Sequence, residues 1–353
     1  MNYFRDNIDK LHGYVPGHQP GPEAIKLNTN ENPYPCSPRV LEVIQAADAE
    51  DLRKYPQVYW DDFREAAGKA LGVAPQRIVC GNGGDEILTI LVRCCCDQNR
   101  PLAYPVPTYS LYPILAGIQD CPTREIPFTP EGQLPEQLFG IEAGLTILCN
   151  PNAPTCRLFP VEQCAELAAS LKGVLLIDEA YVDFSDWNCL ELLEQFDNVA
   201  ILRSLSKGYS LAGLRFGFCM TSEKIVEAMC QVKDSYNVDA LTQLAATAAM
   251  TDQAWKDNHV AKVVAERTRL ADELRKLGFV VPESQTNFLL VQVPADVGLL
   301  PARTIQEQLQ AHNIYIRYFN SPDLTDKLRI TVGTPEQNDA LIAALTQINA
   351  QKA

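Results

Sequence analysis

A lysine set among hydroxyls and glycines marks the segment Ser204-Leu205-Ser206-Lys207-Gly208-Tyr209-Ser210-Leu211-Ala212-Gly213-Leu214-Arg215-Phe216-Gly217. A phosphate is recognised by hydroxyl and backbone N–H donors together with a forked guanidinium, and Ser204, Ser206 and Arg215 can supply them. A lysine held beside such a group can form a Schiff base with an aldehyde. Read on its own, the segment is equally a solvated loop with an incidental lysine.

Two further segments change that balance. Val174-Leu175-Leu176-Ile177 is apolar throughout and is followed at once by Asp178-Glu179-Ala180-Tyr181. Ligands of open parallel sheets gather at the carboxyl ends of strands, which is where Asp178 falls, although an aspartate there can also merely cap a turn. Cys80-Gly81-Asn82-Gly83-Gly84-Asp85-Glu86 follows the short run Arg77-Ile78-Val79, and its glycines permit close approach to the amides that open the next helix. It completes neither the GxGxxG nor the GxxxxGK[ST] spacing, so by itself it is as well read as a plain strand-to-helix turn. An aldehyde-binding lysine, a carboxylate for a ring nitrogen and a phosphate cradle are together what pyridoxal 5'-phosphate needs.

These residues require a scaffold that brings them together. Candidate strands are Leu145–Cys149, Val174–Ile177, Val199–Arg203 and Phe216–Met220, almost continuously apolar, as in a parallel sheet covered on both faces. Helical patterns near 85–96, 160–171 and 187–195 alternate with them, so residues 75–225 predict a doubly wound α/β domain with a mostly parallel central sheet. Upstream, helices are expected from about Ser37, with Pro38 in the first turn, to Ala49, and from Trp60 to Leu71. Beyond residue 222, helices are expected at 223–233, 239–252, 254–277, 301–311 and 336–348, with strands at Thr286–Val293 and Leu328–Val332. The expected division is an N-terminal arm over 1–35, a large α/β domain over 36–250 and a small α+β domain over 251–353, to which the arm can contribute.

Over 353 residues, 46% hydrophobic and 21% charged is ordinary globular composition and excludes a disordered or collagen-like chain. Thirty basic residues against forty-four acidic ones give a net charge of −14, unsuited to coating nucleic acid or an anionic membrane. Twelve cysteines without a CxxC pair, and only four histidines, lack zinc-site spacing, so no metal is expected. The run Cys94-Cys95-Cys96 falls in an expected helix and reads as buried packing. The N-terminus MNYFRDNIDK has no apolar core of a signal peptide, and no apolar run reaches the roughly 18 residues of a membrane span. A reducing, cytoplasmic setting is expected.

Six segments in order carry a family resemblance: Leu27-Asn28-Thr29-Asn30-Glu31-Asn32-Pro33, Tyr55-Pro56, the glycine turn at 81–86, Asp178-Glu179-Ala180-Tyr181, residues 204–217, and Leu328-Arg329-Ile330-Thr331-Val332-Gly333. Across nearly its whole length the chain resembles the aspartate aminotransferase superfamily of fold type I pyridoxal-phosphate enzymes, and within it most the histidinol-phosphate aminotransferases. The resemblance implies Lys207 as the Schiff-base lysine that also shuttles the substrate proton, Asp178 as partner of the pyridine nitrogen, and Tyr181 as donor to the ring 3'-oxygen. It implies Gly83, Gly84, Ser204, Ser206 and Arg215 around the phosphate, Tyr109 stacked on the ring, and Asn152 among the cofactor contacts. Tyr55 is expected to reach the cofactor phosphate of a neighbouring subunit, which makes the working unit a homodimer. Asn150-Pro151-Asn152-Ala153-Pro154-Thr155-Cys156 departs from the usual NPNNPTG: Ala153 replaces the asparagine that bonds the ring oxygen, and Cys156 replaces the last glycine. Losing that hydrogen bond costs about 1–3 kcal/mol locally, and the task is expected to pass to Tyr181, Asn152 or a water.

For the substrate, the resemblance places Arg329, Arg317 and Tyr14 at a phosphate, and Asn32 in the substrate pocket. Two forked cations and a hydroxyl suit a dianion better than a single carboxylate, although Arg317 can also be a surface residue on an edge strand. The implied reaction moves the amine of L-histidinol phosphate to 2-oxoglutarate, giving imidazole-acetol phosphate and L-glutamate in histidine biosynthesis. The rival readings are an aromatic or broad-specificity amino-acid aminotransferase and a pyridoxal-phosphate decarboxylase of a phosphorylated amino acid.

Overall fold

Strands that are apolar on both faces must be covered on both faces, and the helices between them do the covering. The computed structural model describes residues 3–295 and 298–350. Among the described residues eleven strands form two sheets. They are β1 (Ile25–Leu27), β2 (Ile78–Gly81), β3 (Leu102–Val106), β4 (Thr123–Pro127), β5 (Leu145–Cys149), β6 (Val174–Asp178), β7 (Val199–Ser204), β8 (Gly217–Thr221), β9 (Phe288–Gln292), β10 (Ile314–Tyr318) and β11 (Lys327–Thr331). The larger sheet has the order β2-β8-β7-β6-β5-β3-β4. Its neighbours are parallel except at β8, which runs against both β2 and β7. The segment expected as a parallel strand over Phe216–Met220 is therefore antiparallel and begins at Gly217. A strand wholly buried on both faces has the same apolar content in either direction, so its sequence carries no sign of it.

Most of the expected helices form, with two corrections. The helix read as continuous from Ser37 to Ala49 breaks at the extended residue Ala47, and Asp48 caps a separate short helix, Ala49–Arg53. Residues 187–195 give only the 3-10 turn Leu190–Glu194. That segment is tied at its start, where the Cys189 N–H donates to Glu179 at 2.6 Å, and at its end, where Glu194 pairs with Arg77 at 2.6 Å, which leaves room for one tight turn. Cys94 and Cys95 close the helix Gly84–Cys95, and Cys95 and Cys96 are buried.

The smaller sheet has the order β1-β10-β11-β9, with β1 parallel to β10 and the other pairs antiparallel. The N-terminal arm thus supplies an edge strand. The long helix Gln253–Lys276 packs Leu270, Ala271 and Leu274 under this sheet, while Val263 meets Phe184 and Val332. A seam of Cys149, Ala153, Cys156, Phe288 and Leu290, with Tyr181 and Phe319 against it, joins the carboxyl end of β5 to β9. No helix among the described residues is long and apolar enough to cross a membrane.

Candidate active site

Asp178 is the last residue of β6, in register with Cys149 of β5 and Leu202 of β7. Its carboxyl group is buried, accepting from the Tyr112 hydroxyl at 2.7 Å on Oδ2 and from the Ala180 N–H at 3.1 Å on Oδ1. Burial pushes its pKa up to about 6, against the pull of those two hydrogen bonds.

One strand over, the turn after β7 presents Lys207. Its Nζ donates to the Thr29 carbonyl at 3.2 Å and lies 5.8 Å from the centre of the Tyr181 ring. Burial, assisted by the nearby cations Arg329 and Arg215, lowers its pKa to about 8 against the opposing charges of Glu31 and Asp85. The turn itself is held by Asn32, whose Nδ2 donates to the carbonyls of Lys207 (3.1 Å) and Gly208 (3.3 Å). Tyr181 accepts a hydrogen bond from Asn30 Nδ2 at 2.9 Å, so its own O–H stays available to donate elsewhere. Asn30 is fixed in turn: its N–H donates to Thr331 Oγ1 at 3.0 Å, its Oδ1 accepts from that hydroxyl at 3.1 Å, and its carbonyl accepts from Asn287 at 2.9 Å.

A cradle lies at the start of the helix Gly84–Cys95, which has no side-chain cap. Gly83 precedes it at φ 87° and ψ 167°, a conformation reserved for glycine. A Cβ there would fall 2.6 Å from Arg215 Nη2, and a Cβ on Gly217 would fall 2.6 Å from the Gly84 nitrogen. Backbone and guanidinium therefore converge on uncapped helix amides, the donor set of an anion site. Ser204 and Ser206 are buried beside it, with the Ser206 N–H donating to Ser204 Oγ at 3.1 Å. Arg215 takes a left-handed backbone (φ 56°), and its Nη2 is 3.3 Å from Asp85 Oδ2. This donor set, the Lys207 amine and the Asp178 carboxylate match the phosphate, aldehyde and ring nitrogen of pyridoxal phosphate in chemical type.

Tyr109 is half-buried, its hydroxyl 3.4 Å from Asp85 Oδ1 and its ring edge-on to Tyr14 (5.8 Å, 71°) and Tyr112 (5.7 Å, 85°). Asn152 is buried: its Oδ1 accepts from the Thr155 N–H and hydroxyl at 3.2 and 2.7 Å within its own turn, and its Nδ2 donates to Thr108 at 3.4 Å. Ala153 and Cys156 belong to the apolar seam under Tyr181. Cys156 sits at φ 66°, which accounts for the preference for glycine at that place.

The register of β10 and β11 sets Arg317 directly opposite Arg329. Arg329 Nη2 donates to the Asn28 carbonyl at 3.0 Å, its Nε is buried without a partner, and its guanidinium lies over Phe288 and Phe319 at 5.2 and 5.4 Å. Arg317 also lies over Phe319, at 5.4 Å, and donates to the carbonyls of Pro16 and Val15 at 3.4 Å each. Burial, with the Arg317 charge behind it, holds the Arg329 pKa below its ordinary value. Like charges placed opposite one another across strands repel, and an anion between them removes the repulsion. Tyr55 stands apart from these contacts: its ring is 80% exposed and stacks on Tyr236 at 4.3 Å.

Two residues of the cluster, Tyr112 and Asn30, were not assigned from the sequence. Asn30 stood within a motif that carried the family resemblance, but its link to Tyr181 exists only once β11 brings Thr331 beside it. Tyr112 lies in the apolar helix Leu111–Gln119 and looks like any core aromatic.

Sheet order, lysine turn, strand-end carboxylate and glycine-opened helix together define a fold type I pyridoxal-phosphate-dependent transferase. The profile of the family described as aminotransferase class I and II matches residues 22–345. Histidinol-phosphate aminotransferase 1 of a Nostoc species is 48% identical over 350 residues, covering 98% of this chain and 98% of that protein. The histidinol-phosphate aminotransferase of Rhodopirellula baltica is 43% identical over 342 residues, covering 96% and 93%. The crystal structure of histidinol-phosphate aminotransferase from Sinorhizobium meliloti in complex with pyridoxal-5'-phosphate has a TM-score of 0.88 at 27% identity, covering 100% of this chain and 99% of that one. The chain belongs to the class I and II aminotransferases and, within them, to the histidinol-phosphate aminotransferase family.

Proposed function

We propose that this chain moves the amine of L-histidinol phosphate to 2-oxoglutarate, yielding imidazole-acetol phosphate and L-glutamate, as a step of histidine biosynthesis. The observation that carries the choice of substrate is the Arg317–Arg329 pair, two cations in cross-strand register, with the Nε of Arg329 buried and without a partner. A phosphate dianion offers acceptors to two guanidinium forks at once, whereas a carboxylate fills one. 2-Oxoglutarate brings its carboxylates to the same arginines, so one pocket serves both half-reactions.

Pyridoxal 5'-phosphate, when bound, supplies an aldehyde that condenses with amines and a ring that accepts the electron pair released at the amine-bearing carbon. Gly83, Gly84, Ser204, Ser206 and Arg215 would hold its phosphate, Tyr109 would cover the ring face, and Asp178 would pair with the ring nitrogen. Tyr181, turned by Asn30, would donate to the ring oxygen, the task left open by Ala153. With its pKa near 8, Lys207 is partly neutral at physiological pH, so its Nζ would be the amine available to the cofactor and the base that takes up and returns the proton of the amine-bearing carbon. Asn32 holds the backbone turn that carries Lys207, and the Thr29 carbonyl receives the Nζ itself. Tyr14 would close over the substrate phosphate from the arm.

The exposed Tyr55, Tyr59 and Tyr236 support a second copy of the chain packing on this face, with Tyr55 reaching the partner's cofactor phosphate in a cytoplasmic homodimer. The division into an arm to residue 35, a large domain to 250 and a small domain beyond is supported by the two separate sheets. Steady-state rates with histidinol phosphate, phenylalanine, tyrosine and glutamate test the reading. Histidinol phosphate should be the best donor; equal or faster turnover of phenylalanine would favour an aromatic aminotransferase, and carbon dioxide release from threonine phosphate a decarboxylase.

A further inference from the structure

A buried carboxylate normally has a cation beside it, because an isolated buried charge is costly. Asp178 is 4% exposed, yet no ion pair among the described residues reaches it. Its hydrogen bonds come from two neutral donors, the Ala180 N–H and the Tyr112 hydroxyl. The Tyr112 bond is the shorter, at 2.7 Å, and Tyr112 itself is fully buried.

The Tyr112 ring is held in place, which fixes its hydroxyl oxygen beside Asp178. It is packed edge-on against Tyr104 (5.7 Å, 62°) on one side and Tyr109 (5.7 Å, 85°) on the other. Tyr104 is anchored by its own hydroxyl, which donates to Glu125 at 2.7 Å. One residue thus touches both the carboxylate assigned to the ring nitrogen and the tyrosine assigned to the ring face. Hydrogen bonding to the charged form favours it, so the phenol works against the burial that would neutralise Asp178.

We propose that Tyr112 is a positioning residue of the reaction, which keeps Asp178 an anion aimed at the cofactor ring nitrogen and sets the edge of Tyr109 in the same contact. The inference rests on the assignment of Asp178 made above. It also gives a reason for the missing cation: the ring nitrogen proton would complete the pair, with Tyr112 holding the carboxylate ready for it.

The test uses full-length apoprotein titrated with pyridoxal phosphate. Tyr112→Phe keeps the ring contacts and removes the hydroxyl. It should raise the Kd about tenfold to a hundredfold, the range of one hydrogen bond to a charged group. With cofactor carrying 15N in its ring, the bound resonance should move toward that of a neutral pyridine, and kcat should fall more than KM rises. Asp178→Asn should give a larger loss, and Tyr112→Phe in that background should add less than twofold. A fluorinated tyrosine at position 112, which keeps both shape and hydroxyl, should restore Kd to within twofold of the unmodified protein and serves as the folding control. The proposal is overturned if Tyr112→Phe leaves the Kd and the nitrogen resonance unchanged, or if the two substitutions combine additively. If Asp178→Asn itself changes neither, the assignment of Asp178 fails and takes the inference with it, an outcome distinct from failure at Tyr112 alone.

Discussion

Replacing Gly83 by alanine separates the cradle's role from its contribution to the fold. The residue sits at φ 87° and ψ 167°, where any other side chain costs about 1–3 kcal/mol of stability. The new Cβ would also stand 2.6 Å from Arg215 Nη2 and 3.1 Å from its Cζ. The guanidinium is half-exposed, so it can swing away at little cost to the fold, but it then leaves the place proposed for the cofactor phosphate. Charge-assisted hydrogen bonds of this kind contribute about 1.5–3 kcal/mol each, so cofactor affinity should fall roughly tenfold to a hundredfold. Titration of apoprotein with pyridoxal phosphate, followed by absorbance, measures that loss, and thermal unfolding of the apoprotein measures the backbone cost separately. Arg215→Ala should lose similar affinity without the backbone penalty, and the double substitution should lose little more than either alone. An alanine variant that melts earlier yet binds the cofactor as tightly as before would refute the cradle.

Other expectations follow from the same geometry. Arg317→Ala should raise KM for histidinol phosphate tenfold or more while changing turnover of phenylalanine far less; an equal loss with every donor would show that Arg317 supports the arm through Val15 and Pro16 instead. Capture of pyridoxal phosphate by apoprotein requires the neutral Lys207 amine, so its rate should rise with pH and level off above about 8. Arg329→Ala removes a cation that lowers this pKa, so the inflection should move to higher pH; an unchanged inflection would contradict the electrostatic coupling. Sedimentation is expected to give a dimer and Tyr55→Ala to weaken cofactor binding several-fold, whereas a monomer with full affinity would exclude a shared site.

The chemistry was legible wherever one residue type has few other uses in its setting. Lys207 after an apolar strand, Asp178 at the end of another and Arg329 between Leu328 and Ile330 are polar groups where burial demands a reason, and the structure places them around one seam. Sheet direction was not legible at β8, since complete burial erases the alternation that marks a face. β3 and β4 gave no strand signal, because Pro105 interrupts the first and the second is an exposed, polar edge. Pro105 is tolerated because β3 pairs with β5 only through Leu102 and Ala103, leaving its position free of that ladder. Tyr112 and Asn30 were invisible for another reason: their roles depend on partners 66 and 151 residues away, and nothing local distinguishes them from core and turn residues.

The most direct test of Lys207 as the cofactor-bearing residue is borohydride reduction of the purified protein after saturation with pyridoxal phosphate, followed by peptide mass mapping. A stable pyridoxyl adduct on the peptide that carries Lys207, together with loss of the visible absorbance band, is the expected result. Absence of any trapped adduct, or its appearance on another lysine while Lys207 stays unmodified, would contradict the assignment on which every other role in the site depends.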